Sequence, residues 1–246
     1  MIRIDDYQQL KTRIVNWLKD YYWRYDIKAF VVGVSGGIDS AVVSTLCAET
    51  GLPTHVVGMP IHQQIDQEVL SDIHLDWLED RYKNVTSHKF DLTNLFEVFR
   101  YTMQGFNEDK LSLANSRSRL RMVSLYQVAG SVGGIVVGTG NKVEDYGIGF
   151  FTKYGDGGVD IAPIADLYKS EVWELGEHLG VDERICDAIP TDGLWDDGRC
   201  DEDQIGATYE QLEEAMEYKR GIALNALEEY NNKNKHKMEP IPTFKL

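Results

Sequence analysis

Short β-branched runs closed by glycine punctuate this chain, and they constrain its fold more than any other feature. AFVVGV at 29–34, HVVGMP at 55–60 and GGIVVGTG at 133–140 are too short for helices and too apolar for loops. Val and Ile are stiff at Cβ and pack well on a pleated surface, so each run predicts a buried strand. VTSHKFDL at 85–92 predicts another. Helix-length segments separate them. Residues 7–25 set Leu10, Ile14, Trp17, Leu18 and Tyr21 at three- and four-residue steps, which is one apolar helical face. Residues 40–50 predict a helix that Gly51, Leu52 and Pro53 stop. Residues 66–80 predict a helix with Val69, Ile73, Trp77 and Leu78 turned inward, and 111–129 a long arginine-rich one. Further helices are expected at 166–179, 208–221 and 222–231, a turn and short helix at 180–189, and a tail from 231 that is basic, then proline-bearing. Such alternation predicts an α/β fold, a mostly parallel sheet with helices on both faces, as a single domain over 1–246. Ligands of such sheets bind beyond the carboxyl ends of the strands, where these glycines fall.

The first strand runs directly into SGGIDS at 35–40, then into a helix. Gly36 and Gly37 carry no side-chain bulk, so backbone can approach an anion closely. Successive N–H groups there form a positive nest, and the helix N-terminus adds free donors and a positive dipole end. The hydroxyls of Ser35 and Ser40 extend the donor row, which suits a diphosphate better than one phosphate. Asp39 is out of place in a purely anionic site. It fits as an oxygen ligand for Mg²⁺ bound with the phosphates. The competing reading is a tight turn in which Ser35 or Asp39 only caps the helix. No lysine follows the glycines, so this is not the GxxxxGK[ST] loop.

The formal net charge of −15 argues against a nucleic-acid partner, whose phosphates call for clustered Lys and Arg. A phosphorylated small molecule needs only local basic groups. MIRIDDYQQLKTRI does not read as a signal peptide, and no apolar run reaches membrane-span length. Cys47, Cys186 and Cys200 lack the spacing of a zinc site or disulfide framework. A cytoplasmic location is expected, with no membrane partner.

SGGIDS matches the SGGxDS pyrophosphate loop of the N-type ATP pyrophosphatases, which include GMP synthetase, asparagine synthetase and tRNA-modifying enzymes. NSRSRLRM at 115–122, GTGNKVE at 138–144, FFTKYGDGGVDIAPIADLYKSEV at 150–172, PTDGLW at 190–195 and DEDQIGATY at 201–209 narrow the match. Taken in order, these segments span nearly the whole chain, which resembles the ammonia-dependent NAD synthetases.

That resemblance implies ATP-dependent amidation of deamido-NAD with ammonia, through an acyl-adenylate, in a homodimer. It places ATP on Gly33, Ser35, Gly36, Gly37, Ser40, Thr139, Lys169 and Thr191. It assigns Mg²⁺ to Asp39 and Glu144, and deamido-NAD to Arg119, Lys153, Asp160, His236 and Lys237. Asp39 and Lys169 are the expected catalytic groups, with Asp156 a candidate for deprotonating ammonium. Phe150 and Phe151 offer aromatic surface to a pyridine ring. The chain is too short for a second full domain that hydrolyses glutamine, so free ammonia or a separate amidotransferase is expected. The alternative is another adenylating member of the superfamily, acting on a different carboxylate or on tRNA. Three departures stand out. Residues 145–149 are one longer than the commonest spacing, 196–200 differ, and Met238 stands where arginine is common.

Overall fold

The computed structural model describes residues 3–106, 108–191 and 200–245. Its elements run α1 (Tyr7–Arg24), β1 (Phe30–Gly33), α2 (Ile38–Glu49), β2 (Thr54–Gly58), α3 (Ile65–Arg81), β3 (Val85–Lys89), α4 (Thr93–Thr102), α5 (Lys110–Val132) and β4 (Ile135–Val136). A π-helix (Lys142–Ile148) follows, then α6 (Lys169–Leu179), α7 (Glu183–Cys186), α8 (Asp201–Ile205), α9 (Tyr209–Tyr218) and α10 (Leu224–Met238). All strand pairs are parallel, in the order β3-β2-β1-β4, with Phe30 opposite Thr54 on one side and Ile135 on the other. The expected α/β architecture is therefore present.

Alternate residues of β1 point to opposite faces. Phe30 and Val32 pack with Leu18 of α1, Leu46 of α2 and Leu175 of α6, while Val31 packs with Phe96 of α4 and Ala129 of α5. A separate cluster of Val143, Ile148, Tyr209, Leu212 and Leu227 ties the π-helix to α9 and α10. The strand order reverses between β1 and β4. The crevice at that switch point is where open α/β sheets place ligands.

Several expectations need correction. The second helix starts at Ile38, which puts Asp39 in its first turn, and the helix expected from 166 starts at Lys169. Val69 of α3 is exposed, and Ser71, His74, Leu75 and Leu78 are the buried stripe. That stripe is partly polar because it meets polar groups: Ser71 Oγ donates to Val34 O at 2.9 Å, and Ser44 Oγ lies 2.9 Å from His74 Nε2. The last helix continues to Met238, beyond the expected end. Its polar side is anchored to main chain: Asn231 and Asn234 donate to Gly147 O and Ile148 O at 2.9 and 2.8 Å. Hydrophobic spacing carries no trace of such anchoring. Helix α4 and the π-helix were not expected. The positions 192–195 of PTDGLW and the differing segment up to Arg199 lie outside the described residues.

Candidate active site at the β1–β4 switch point

A cavity of about 310 Å³ opens beyond the carboxyl ends of β1, β2 and β4. Gly33, Ser35, Gly36, Gly37, Asp39 and Ser40 line one side. Thr139, Glu144, Asp156, Lys169 and Thr191 also line it. The expected nucleotide, metal and catalytic residues therefore share one space.

The glycine loop is tightly made. Gly36 has φ +90°, and a Cβ there would lie 2.7 Å from Gln67 O and 2.9 Å from Ser71 N. Only glycine suits both that backbone conformation and that contact. Gly37 is the N-cap of α2 and makes no side-chain cap bond. Ser40 Oγ donates to Gly37 O at 2.9 Å and accepts from Ser35 N at 3.2 Å, while the two serine hydroxyls sit 3.1 Å apart. The hydroxyls thus brace the loop in this state, and the anion-facing surface is chiefly backbone N–H.

Lys169, the first residue of α6, holds the centre. Its Nζ donates to Asp39 Oδ2 at 2.5 Å and to Glu144 Oε1 at 2.8 Å, with the lysine side chain 4% exposed. A cation opening a helix opposes the dipole, and two carboxylates offset that cost. Burial alone would lower the lysine pKa; Asp39 and Glu144 together raise it, so Lys169 is charged. Burial, reinforced by the Glu144 charge, pushes Asp39 up against the pull of Lys169 and Asn141. For Glu144 burial acts the same way, but Lys169 and the Tyr209 hydroxyl outweigh it and hold the carboxyl low.

Sequence reasoning missed three residues that shape this centre. Asn141, fully buried, donates from Nδ2 to Asp39 Oδ1 at 3.0 Å and accepts from Val143 N and Glu144 N, capping the π-helix. An Asn just before a helical segment is a cap signature that could have revealed it. Tyr209 donates to Glu144 Oε1 at 2.6 Å and lies 3.3 Å from Asp201 Oδ2. Burial first, then Glu144 and Asp201, raise its pKa, so the phenol stays protonated. Both Asp201 and Tyr209 lie in DEDQIGATY, a segment that carries the resemblance, but its spacing alone does not mark either as a partner of Glu144.

Asp156 lines the same cavity. Its Oδ1 accepts from Ser118 Oγ at 2.6 Å and from Thr152 N at 3.0 Å, and burial raises its pKa despite those donors. Gly155 is required beside it, since a Cβ there would lie 2.2 Å from Ser118 Oγ.

The residues expected to hold the dinucleotide form a second group outside the lining of that cavity. Arg119 Nε donates to Lys153 O at 3.3 Å, Lys153 Nζ to His236 O at 3.1 Å, and Lys237 Nζ to Phe151 O at 2.7 Å. Four of the five thus gather where α5, the 150–158 loop and α10 meet. Asp160 stands apart, its oxygens accepting from Val136 N at 2.7 Å and the Tyr126 hydroxyl at 3.0 Å. Arg121, two residues beyond Arg119, turns to Met59 O and Gln63 Oε1.

Comparison with known proteins accords with this geometry. A sequence model described as NAD synthase matches residues 10–242. An NH(3)-dependent NAD(+) synthetase of Methanosarcina mazei is 33% identical over 96% of this chain and 98% of its own length. The solved NMN synthetase of Francisella tularensis superposes with a TM-score of 0.91 at 34% identity, covering 99% of this chain and 100% of that one. The NH3-dependent NAD synthetase of Campylobacter jejuni, in complex with the nitrate ion, superposes at 0.78 with 25% identity over 98% and 100%. The chain belongs to the NAD synthase family.

Proposed function

We propose that this protein is an ammonia-dependent ligase that converts deamido-NAD to NAD at the expense of ATP. One observation carries the reading: a backbone diphosphate cradle and a buried carboxylate–lysine–carboxylate centre share one cavity at the switch point. A carboxylate is a poor acyl donor, so activation comes first. The nicotinate carboxylate attacks the α-phosphorus of ATP, pyrophosphate leaves, and an acyl-adenylate forms. Ammonia then adds to the carbonyl, AMP departs, and the amide remains.

The chain's own groups serve the first step. Backbone N–H groups of Gly36, Gly37 and the start of α2 receive the leaving pyrophosphate. Lys169 is within reach of the same phosphates once it leaves its carboxylates. The donor set suits Mg²⁺: Asp39 and Glu144 already converge on one cation, with Asn141 and Tyr209 fixing their orientation. Asp39 and Glu144 would hold that ion, which when bound neutralises charge on the pyrophosphate. Arg119, Lys153, His236 and Lys237 supply a basic, polar surface for the dinucleotide beside the cavity. A second copy of the chain fits the exposed apolar residues Val98 and Tyr101 of α4, Phe106 after it and Leu111 at the start of α5. A cytoplasmic setting suits these cofactors and free thiols.

A second substrate reading has one observation in its favour. The overlap with the NMN synthetase is closer than with the Campylobacter NAD synthetase, 0.91 against 0.78. The acceptor would then be nicotinate mononucleotide, with the same chemistry at the carboxylate. Protein, ATP, Mg²⁺ and ammonium are mixed with each acceptor separately, and amide, AMP and pyrophosphate are measured. The main reading predicts equimolar NAD, AMP and pyrophosphate from deamido-NAD. A higher kcat/KM with the mononucleotide would select the second, and turnover with neither would refute both.

A further inference from the structure

We infer that Arg3 is a positioning residue for Lys169: its guanidinium clasps the first turn of α6 from outside the cavity and fixes the root of the lysine that serves the ATP phosphates. This role rests on the ligase reading above and adds to it a residue that touches no substrate.

Lys169 opens α6. A first turn is the least held part of a helix, because its N–H groups have no partner within the helix. The body of α6 is held by Val172, Leu175 and Leu179, which are buried in the core. The turn that carries the lysine depends on Glu171, whose Oε2 accepts from Tyr168 N at 2.8 Å. Glu171 is 5% exposed. A carboxylate so enclosed requires a cation. Arg3 supplies it from 168 residues away, with Nε donating to Oε1 and Nη2 to Oε2, both at 2.8 Å.

The clasp extends to the residues that lead into Lys169. Arg3 Nη2 also donates to Asp166 O at 2.9 Å, and the guanidinium carbon lies over the Tyr168 ring, 4.3 Å from its centroid. Lys142 Nζ lies over the same ring at 5.0 Å. Lys142 opens the π-helix that bears Glu144; its N donates to Leu167 O and its Nζ to Asp166 Oδ1, both at 2.8 Å. Residues 166–168 are thus tied to Arg3 and to the element that carries a carboxylate partner of the lysine. Arg3, Tyr168 and Glu171 do not line the cavity. The lysine stem can swing between its carboxylates and a phosphate, while its Cα stays where these ties hold it.

A buried ion pair is a weak source of stability beside a well-packed neutral pair. An arginine fork is exacting in geometry, and a lysine cannot reproduce it. Both points favour a geometric role for Arg3 over a merely stabilising one.

The test separates geometry from stability in the intact protein. Arg3→Met combined with Glu171→Gln removes both charges and keeps a side-chain carbonyl for Tyr168 N. Its melting temperature should stay within about 4 °C of the parent's. ATP–pyrophosphate exchange with deamido-NAD should nonetheless fall roughly tenfold or more, and the Kd for ATP, from titration calorimetry, should rise roughly fivefold. In a Lys169→Met background the same two changes should alter the Kd for ATP by less than about twofold, because their effect runs through the lysine. Arg3→Lys keeps the charge without the fork and should lower exchange roughly threefold; it carries the test if the double variant melts early. Exchange and ATP affinity equal to the parent's in the double variant or in Arg3→Lys would overturn the inference. So would a further loss of ATP affinity on top of Lys169→Met. Absence of exchange and of amide in the parent with either acceptor would instead remove the ligase reading, and the ATP titrations would still decide the role of Arg3.

Discussion

Replacing Lys169 with methionine isolates the centre of this site. Methionine keeps most of the side-chain volume but removes the charge that Asp39 and Glu144 share. The lysine side chain is 4% exposed and each carboxylate 17%, so little solvent is available to take over. Removing one partner of such a buried set typically costs about 3–5 kcal/mol, because the remaining charge is left uncompensated. Here two carboxylates are stranded together. For a chain of this size each kcal/mol moves the melting temperature by roughly 2–4 °C, so Lys169→Met should melt on the order of 10 °C below the parent. Divalent cation then becomes diagnostic. With the lysine gone, the two carboxylates are free to take Mg²⁺ without nucleotide, and Mg²⁺ at ten times its Kd would restore about 1.4 kcal/mol. The parent, whose carboxylates are already paired, should respond to Mg²⁺ only when ATP is also present. Differential scanning calorimetry with and without Mg²⁺ reads both effects. A variant as stable as the parent, or one whose Mg²⁺ response equals the parent's, would refute the reasoning.

Other expectations follow from single contacts. Gly36→Ala forces a side chain into a φ of +90° and against Gln67 O, so it should cost roughly 1–3 kcal/mol and weaken ATP binding at least tenfold, measured by calorimetric titration. Tyr209→Phe removes the hydroxyl donated to Glu144 and should cost about 1–3 kcal/mol in urea unfolding, a charged acceptor being involved. Burial, reinforced by Glu144, Asp156 and Asp39, pushes Asp145 up to about 8, well above its unfolded value of about 3.9. The folded state then binds more protons between those values, so this group's contribution is complete below pH ~4 and is lost as pH rises through ~8. Asp145→Asn should flatten that part of the stability profile, and a slope between pH 5 and 8.5 equal to the parent's would show that this carboxyl is not the group responsible.

The sheet and the glycine loop were legible because local chemistry dictates them. β-Branched runs and a Gly-Gly turn before a helix mean the same thing in most contexts. The SGGIDS loop, Asp39, Glu144 and Lys169 were found and do meet in space. The resemblance was needed for Glu144, because a carboxylate four residues past a glycine has no local signature. What was not legible depends on pairing across long separations. Tyr209 reaches Glu144 from 65 residues away, and although its segment carries the resemblance, no local pattern shows which carboxylate it meets. Helix α10 outran its expected end because asparagine and lysine side chains dock on carbonyls of 147–151, a polar contact with no hydrophobic period. Asp160 was expected as a substrate contact on family grounds alone, and its bonds to Val136 N and Tyr126, set by pairing across 24 and 34 residues, had no local signature. Where the Asp145 carboxylate lies was not legible either; the π-helix and the bare face of Gly140 disclose it.

Oxygen transfer provides the sharpest check on acyl activation at the glycine loop. Deamido-NAD labelled with ¹⁸O in its nicotinate carboxylate is turned over with ATP, Mg²⁺ and ammonium, and the phosphorus products are weighed by mass spectrometry. One labelled oxygen should appear in each AMP and none in pyrophosphate. Unlabelled AMP, or label found in a phosphate released alongside ADP, would contradict it.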